Sequence, residues 1–227
     1  MTPRSRARQL PAVGESLAST YGRPSWHRHG PALDELIATV LSQHTSDVNA
    51  ERAFASLRSR FPDWSEVIAA PTETIADAIR SGGLANLKAP RIQRILRAIG
   101  ETEDEFSLEW LGGLPPREAR GWLTGLPGVG PKTASCVLLF SLGLPAMPVD
   151  THVHRVSRRL GLIDVATSAE TAQDELEALI GPDRDVAYAL HLNLIRHGRE
   201  TCHARNPACH RCVLEHLCPS ATRAKPA

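Results

Sequence analysis

Leu126-Pro127-Gly128-Val129-Gly130-Pro131-Lys132-Thr133 packs two glycines, two prolines and one lysine into eight residues. Trp122 and Leu123 close an apolar helical segment ahead of it, and Val137, Leu138 and Phe140 open another behind it. Gly128 and Gly130 predict a tight hairpin in backbone conformations closed to other residues. Pro131 suits the first turn of the following helix, where its missing N–H removes no bond. The stretch therefore predicts helix, hairpin, helix. The N–H groups of Gly128 and Gly130 would stand exposed at a helix N-terminus, an arrangement that binds phosphate without reading a base. A packing turn between two helices would use the same glycines.

Outward from the hairpin, the apolar residues repeat with helical spacing. Leu33, Leu36, Ile37, Val40 and Leu41 form one stripe at i, i+3, i+4, i+7 and i+8. Ile75 with Ile79, Ile92 with Ile95, Leu96 and Ile99, Leu176 with Leu179 and Ile180, and Val186 with Leu190 and Leu194 mark further helices. Pro62, Pro71, Gly82-Gly83, Gly112-Gly113, Pro115-Pro116, Gly143 and Pro145 break the segments apart. Strand signals are almost absent. The expectation is an all-α protein of about ten short helices. The 227 residues suffice for one large domain or two small ones, and the tail after Cys218 is expected to fray.

Lys132 falls in the first turn of the hairpin's second helix. The macrodipole disfavours a cation there by about 0.3–1 kcal/mol, too little on its own to free the amine at neutral pH; a half-buried setting would have to add the rest. The position suits a nucleophile, and equally a solvated lysine. Eighteen residues on, within Met147-Pro148-Val149-Asp150-Thr151-His152-Val153-His154-Arg155, Asp150 precedes the apolar run Val153, Val156 and Leu160. It is an N-cap candidate. Capping engages one carboxylate oxygen and leaves the second for chemistry.

Four of the five cysteines, Cys202, Cys209, Cys212 and Cys218, lie within 17 residues, spaced C-x6-C-x2-C-x5-C. In a reducing compartment metal is a better explanation than disulfides. Zinc sites usually combine two C-x2-C-like pairs, and only Cys209 and Cys212 make one. The corners of an iron–sulfur cubane stand farther apart, so one loop of unequal spacings can reach all four. A structural iron–sulfur cluster is thus preferred over zinc. Cys136, in the apolar run Ala134 to Phe140, reads as a small buried residue.

Composition excludes other classes. Apolar residues make up 42% and charged residues 22%, as in ordinary globular proteins. No run of 18 apolar residues is present, so no membrane helix is expected. Met1 to Arg8 is polar and basic, not a secretory signal. The net charge of +1 argues neither for nor against nucleic acid. Its distribution is uneven: Arg4, Arg6 and Arg8 crowd the start, and Arg196, Arg199, Arg205 and Arg211 crowd the cysteine region.

Taken together, L-P-G-V-G-P-K-T-A, V-D-T-H-V-H-R and C-x6-C-x2-C-x5-C, in this order from about Leu33 to Cys218, resemble the endonuclease III family of helix–hairpin–helix DNA glycosylases. The resemblance implies two helical domains: a six-helix barrel domain over residues 26–144 ending in the hairpin, and an iron–sulfur cluster domain from residues 1–25 plus 145–227, with a DNA-binding cleft between them. It implies a base-excision repair enzyme that removes oxidised pyrimidines from duplex DNA and nicks the abasic site by β-elimination. Lys132 would be the nucleophile and Asp150 its catalytic partner. One [4Fe-4S] cluster would sit on Cys202, Cys209, Cys212 and Cys218. Gly128, Val129 and Gly130 would hold DNA phosphates.

In Leu41-Ser42-Gln43-His44-Thr45-Ser46-Asp47, the family's loop fills the gap left by the flipped nucleotide with a glutamine. Alignment on Ser42 and Asp47 puts His44 at that place, beside Gln43. In Gly82-Gly83-Leu84-Ala85-Asn86-Leu87-Lys88, Leu84 matches the apolar wedge, although a core contact would also suit a leucine. Arg199, Arg205 and Arg211 are candidates for backbone contacts. The implied partner is double-stranded DNA carrying a damaged base or abasic site, with no membrane. The protein is expected to be monomeric and cytoplasmic, associated with the nucleoid if bacterial. Two alternatives stay open: a glycosylase for uracil, mismatched thymine or adenine, and a DNA-binding module without catalysis.

Overall fold

The computed structural model describes residues 3–102 and 106–221. Met1 and Thr2 of the polar start, and residues 222–227, where fraying is expected, lie outside the described residues. Among the described residues there are eleven α-helices and no strand, so the all-α expectation holds. The chain divides into two compact units, one of residues up to His27 and from Pro145 onward, the other of Arg28–Leu144. Helix α1 (Pro3–Tyr21) belongs to the first unit.

The Arg28–Leu144 unit holds α2 (Ala32–Ser42), α3 (Asp47–Arg60), α4 (Trp64–Ala69), α5 (Thr72–Ala78), α6 (Ala85–Gly100), α7 (Pro116–Gly125) and α8 (Pro131–Cys136). The expected stripe of α2, from Leu33 to Leu41, is buried along its length, and Asp34 and Glu35 in its first turn favour the positive end of the helix. Ser46 caps α3 by accepting from the Asn49 N–H, and Asp63 with Glu66 forms a capping box on α4. Ile75, Ile92, Ile95, Leu96 and Ile99 are fully buried, each contributing about 1.5–3 kcal/mol relative to exposure.

One expectation needs correction. The helix behind the hairpin does not run on as α-helix through Phe140: after Cys136 it widens into a π-helical turn, Val137–Ser141. The N–H of Leu142 bonds the Val137 carbonyl at 3.1 Å, and that of Leu144 bonds the Leu138 carbonyl at 2.8 Å. The Phe140 carbonyl instead accepts from His29 N–H at 3.0 Å, and the two rings stack with centroids 4.6 Å apart. All five side chains of the turn are buried.

The other unit packs α1 with α9 (Thr151–Leu160), α10 (Ala169–Ile180) and α11 (Arg184–Glu200). Leu10, Val13 and Leu17 of α1 join Val153, Val156 and Leu160 of α9, Leu176 of α10 and Leu190 and Leu194 of α11 in one core. Leu214 carries that core into the cysteine loop. Buried Arg6 forms an ion pair with Asp164 and another with Glu175 at 3.1 Å. At Gly198 helices α11 and α9 approach so closely that a Cβ would meet His152 at 3.0 Å. No helix among the described residues is long and apolar enough to cross a membrane.

Candidate functional site

The hairpin forms where the sequence puts it. After α7 the chain extends at Leu126, whose carbonyl accepts from the Val129 N–H at 3.1 Å. Gly128 has φ +78°, a conformation that favours glycine. Gly130 does not need it: with φ −93° and ψ 173° it is ordinary extended backbone capping α8. That part of the expectation is corrected, because one left-handed residue closes the turn. A Cβ on Gly130 would meet nothing within 4 Å. Pro131 is the first residue of α8, as expected. Lys132 follows in the first turn, half-buried, ahead of buried Thr133.

The turn after α2 is tied to the hairpin through side chains of the same unit. Gln43 is tied down: its carboxamide oxygen accepts from Arg91 Nη1 at 2.8 Å and its nitrogen reaches Thr133 Oγ1 at 3.5 Å. Arg91 also lies against Gly128. His44 is exposed and has φ +56°. Leu84 likewise has φ +50° and is 50% exposed, so it is not a core contact. Between these turns Lys88, only 2% exposed, donates to the Leu41 carbonyl at 2.6 Å and the Gly82 carbonyl at 2.8 Å. Burial, reinforced by the Arg91 charge, holds its pKa below the ordinary lysine value.

Asp150 lies in the other unit. Its Oδ1 accepts from the Val153 N–H at 2.7 Å and caps α9, as expected. The half-buried carboxylate keeps Oδ2 outside that cap.

Cys202, Cys209, Cys212 and Cys218 all line one small cavity, along with Val156, Leu160 and Leu214. None is in a disulfide. Burial, with the neighbouring cysteines adding to it, pushes the Cys212 and Cys218 thiols up. Four thiolates in an apolar cavity oppose one another unless a cationic core lies among them, so the donor set fits an iron–sulfur cluster. Among the described residues no three His, Cys, Asp or Glu side chains converge as a single-ion site.

Arg159 Nη1 donates to Cys202 Sγ at 3.2 Å and to the His203 carbonyl at 2.7 Å. Arg155 Nε donates to the Cys202 carbonyl at 3.0 Å. His197 Nε2 lies 3.5 Å from Cys212 Sγ, and its Nδ1 lies 3.1 Å from the Tyr21 hydroxyl. Burial, partly offset by Glu200, lowers the His197 pKa to about 4. Arg199, Arg205 and Arg211 are exposed, Arg211 donating to the Glu200 carbonyl at 2.9 Å. Cys136 is buried in α8, apart from the other four.

Lys88, Arg91, Arg159 and His197 are absent from the sequence-based candidates. For two of them a signal existed. Lys88 stands in register with Ile92, Ile95 and Ile99 on the buried stripe of α6, and His197 continues Leu190 and Leu194 on α11. A charged or polar residue in an apolar stripe calls for a partner.

Residues 37–182 match the model of the HhH-GPD superfamily of base excision DNA repair proteins, and residues 202–218 match the iron–sulfur binding domain of endonuclease III. A protein named as a DNA glycosylase of Arabidopsis thaliana is 40% identical over 167 residues, which are 74% of this chain and 56% of that protein. This chain therefore spans little more than half of the plant relative. Endonuclease III of Thermotoga maritima is 36% identical over 195 residues, 86% of both chains. Among solved structures, a trapped covalent intermediate of endonuclease III with DNA superposes with a TM-score of 0.79 at 31% identity, covering 97% of each chain.

Proposed function

The chain belongs to the HhH-GPD superfamily of base excision DNA repair proteins, in the branch that carries the endonuclease III iron–sulfur domain, and from that premise we propose that it is a bifunctional DNA glycosylase and abasic-site lyase acting on oxidised pyrimidines in duplex DNA. The observation that carries the reading is Lys132: an amine, half-buried, in the first helical turn beyond a glycine hairpin. A pure DNA-binding module needs no lysine at a helix end that disfavours cations.

In this reading Lys132 Nζ attacks C1′ of the damaged nucleotide. The C1′–N bond breaks, and the base leaves with the bonding electrons and takes up a proton. The amine loses its proton, the C1′–O4′ bond breaks with O4′ taking up a proton, and the opened sugar stays joined to Lys132 as a Schiff base. Loss of a C2′ proton then expels the 3′ phosphate by cleavage of the C3′–O bond. Asp150, through the oxygen outside its cap, takes the proton from Lys132 and stabilises positive charge building on the sugar. Gly128 and Gly130 hold a phosphate through backbone N–H groups, whereas the expected Val129 N–H is spent inside the turn on the Leu126 carbonyl. Exposed His44, rather than tethered Gln43, fills the gap of the flipped nucleotide, and Leu84 wedges against the opposite strand. Cys202, Cys209, Cys212 and Cys218 hold the [4Fe-4S] cluster, which supplies a rigid scaffold for the basic loop around it. The protein works as a monomer on damaged DNA, in the cytoplasm.

Borohydride trapping on an abasic duplex tests the assignment. Wild type is expected to give a covalent adduct that vanishes in Lys132→Gln; an adduct surviving that change would overturn it. Duplexes with thymine glycol, uracil, or thymine opposite guanine, scored for base release and nicking, fix the substrate. Release of thymine glycol first is expected, and preference for uracil or mismatched thymine would move the chain to the other glycosylase class.

A further inference from the structure

We propose that Lys88 is a positioning residue that fastens the His44 turn to the Leu84 turn, so that the two side chains enter DNA as one rigid unit. The proposal rests on the reading above, in which His44 and Leu84 contact DNA.

Both turns hold a non-glycine residue in left-handed backbone, at His44 and at Leu84. Such conformations are strained for residues with a Cβ and persist only where the surroundings impose them. Both residues are also exposed, so their own side chains bring little packing to offset the strain. The lock is beneath them. Lys88 is buried, and its ammonium donates to the carbonyl of Leu41 in one segment and of Gly82 in the other, 47 and 6 residues away. Bonds from a charged donor are stronger than bonds between neutral groups, and one cation serving two chain segments fixes their separation. The segments also touch directly: a Cβ on Gly83 would lie 4.0 Å from the His44 carbonyl oxygen, and one on Gly82 would lie 3.8 Å from the Leu41 carbonyl oxygen. A buried lysine without carboxylate contacts at its two bonds is an expensive way to hold a helix. It is an apt way to hold two strained turns in register.

The test compares Lys88→Met, Leu84→Ala and the double variant in the cluster-loaded protein. Iron content and thermal unfolding establish that each is folded. An abasic duplex carrying 2-aminopurine opposite the lesion reports entry of the wedge as a fluorescence rise. Lys88→Met is expected to abolish most of that rise and to slow single-turnover nicking of the duplex at least about tenfold. Trapping on a single-stranded abasic oligonucleotide, which has no opposite strand to displace, should stay within about twofold. In the Leu84→Ala background Lys88→Met should add little, since coupled residues are not additive. Equal losses on single and double strands, or full additivity with Leu84→Ala, would overturn the proposal. If Lys88→Met does not fold, Lys88→Arg keeps the donors in a larger head. It should bind duplex with a reduced fluorescence rise, and a wild-type rise would overturn the proposal. Absence of trapping by the wild type on any substrate would instead refute the enzymatic reading.

Discussion

Arg91 rests on the bare Cα of Gly128: a methyl group there would stand 3.1 Å from Cδ and Nε of the arginine. The same guanidinium holds Gln43 at 2.8 Å, so the hairpin and the turn after α2 share one side chain. Gly128→Ala would both strain the backbone at φ +78° and displace Arg91. It should cost about 1–2 kcal/mol and weaken duplex binding. Gly130→Ala, in extended backbone with open space, should unfold within about 0.5 kcal/mol of wild type, while losing DNA affinity if a phosphate approaches there. Thermal unfolding and salt-dependent binding separate the two. Equal destabilisation by both changes would contradict the conformational difference between these glycines.

The two oxygens of Asp150 can be tested apart. Asparagine caps a helix as well as aspartate does, so Asp150→Asn should preserve the Val153 bond and the unfolding temperature. Its base-release rate should drop about 10²–10⁴-fold, the usual contribution of a general base. Asp150→Ala should lose the same activity and about 1 kcal/mol of stability besides. An active asparagine variant would reduce Asp150 to a cap.

Gln43 and His44 should divide structure from function. Gln43→Ala removes the partners of Arg91 and Thr133 and should lower stability by about 0.5–1.5 kcal/mol. His44→Ala should leave stability within about 0.5 kcal/mol yet slow excision from duplex DNA severalfold. Denaturant unfolding beside single-turnover kinetics reads both. A His44→Ala enzyme excising at the wild-type rate would remove this residue from the DNA contact.

Cys212→Ala should abolish bound iron and sulfide and the broad absorbance near roughly 400 nm of thiolate-ligated clusters. Cys136→Ala should keep both, since this buried thiol belongs to the other unit and does not line the cavity. Stoichiometric zinc without sulfide in the purified protein would replace the cluster by a zinc site.

The sequence by itself determined what depends on near neighbours along the chain. The stripe from Leu33 to Leu41, the proline opening α8, the left-handed glycine at 128 and the Asp150 cap follow from periods, ring constraints and bonds spanning three or four residues. The spacing of Cys202, Cys209, Cys212 and Cys218 carried the cluster in the same way. Tertiary structure decided what depends on the far side of a contact. Gln43 is tethered and His44 is free of that tether because Arg91 lies 48 residues away in sequence and Thr133 lies 90 away. Lys88 finds its acceptors in two separate turns, and Leu84 is exposed on a left-handed backbone that no local propensity favours for leucine. The π turn after Cys136 likewise accompanies a contact with His29 from across its unit. Local pattern states which residues want burial or a partner; only packing assigns the partner.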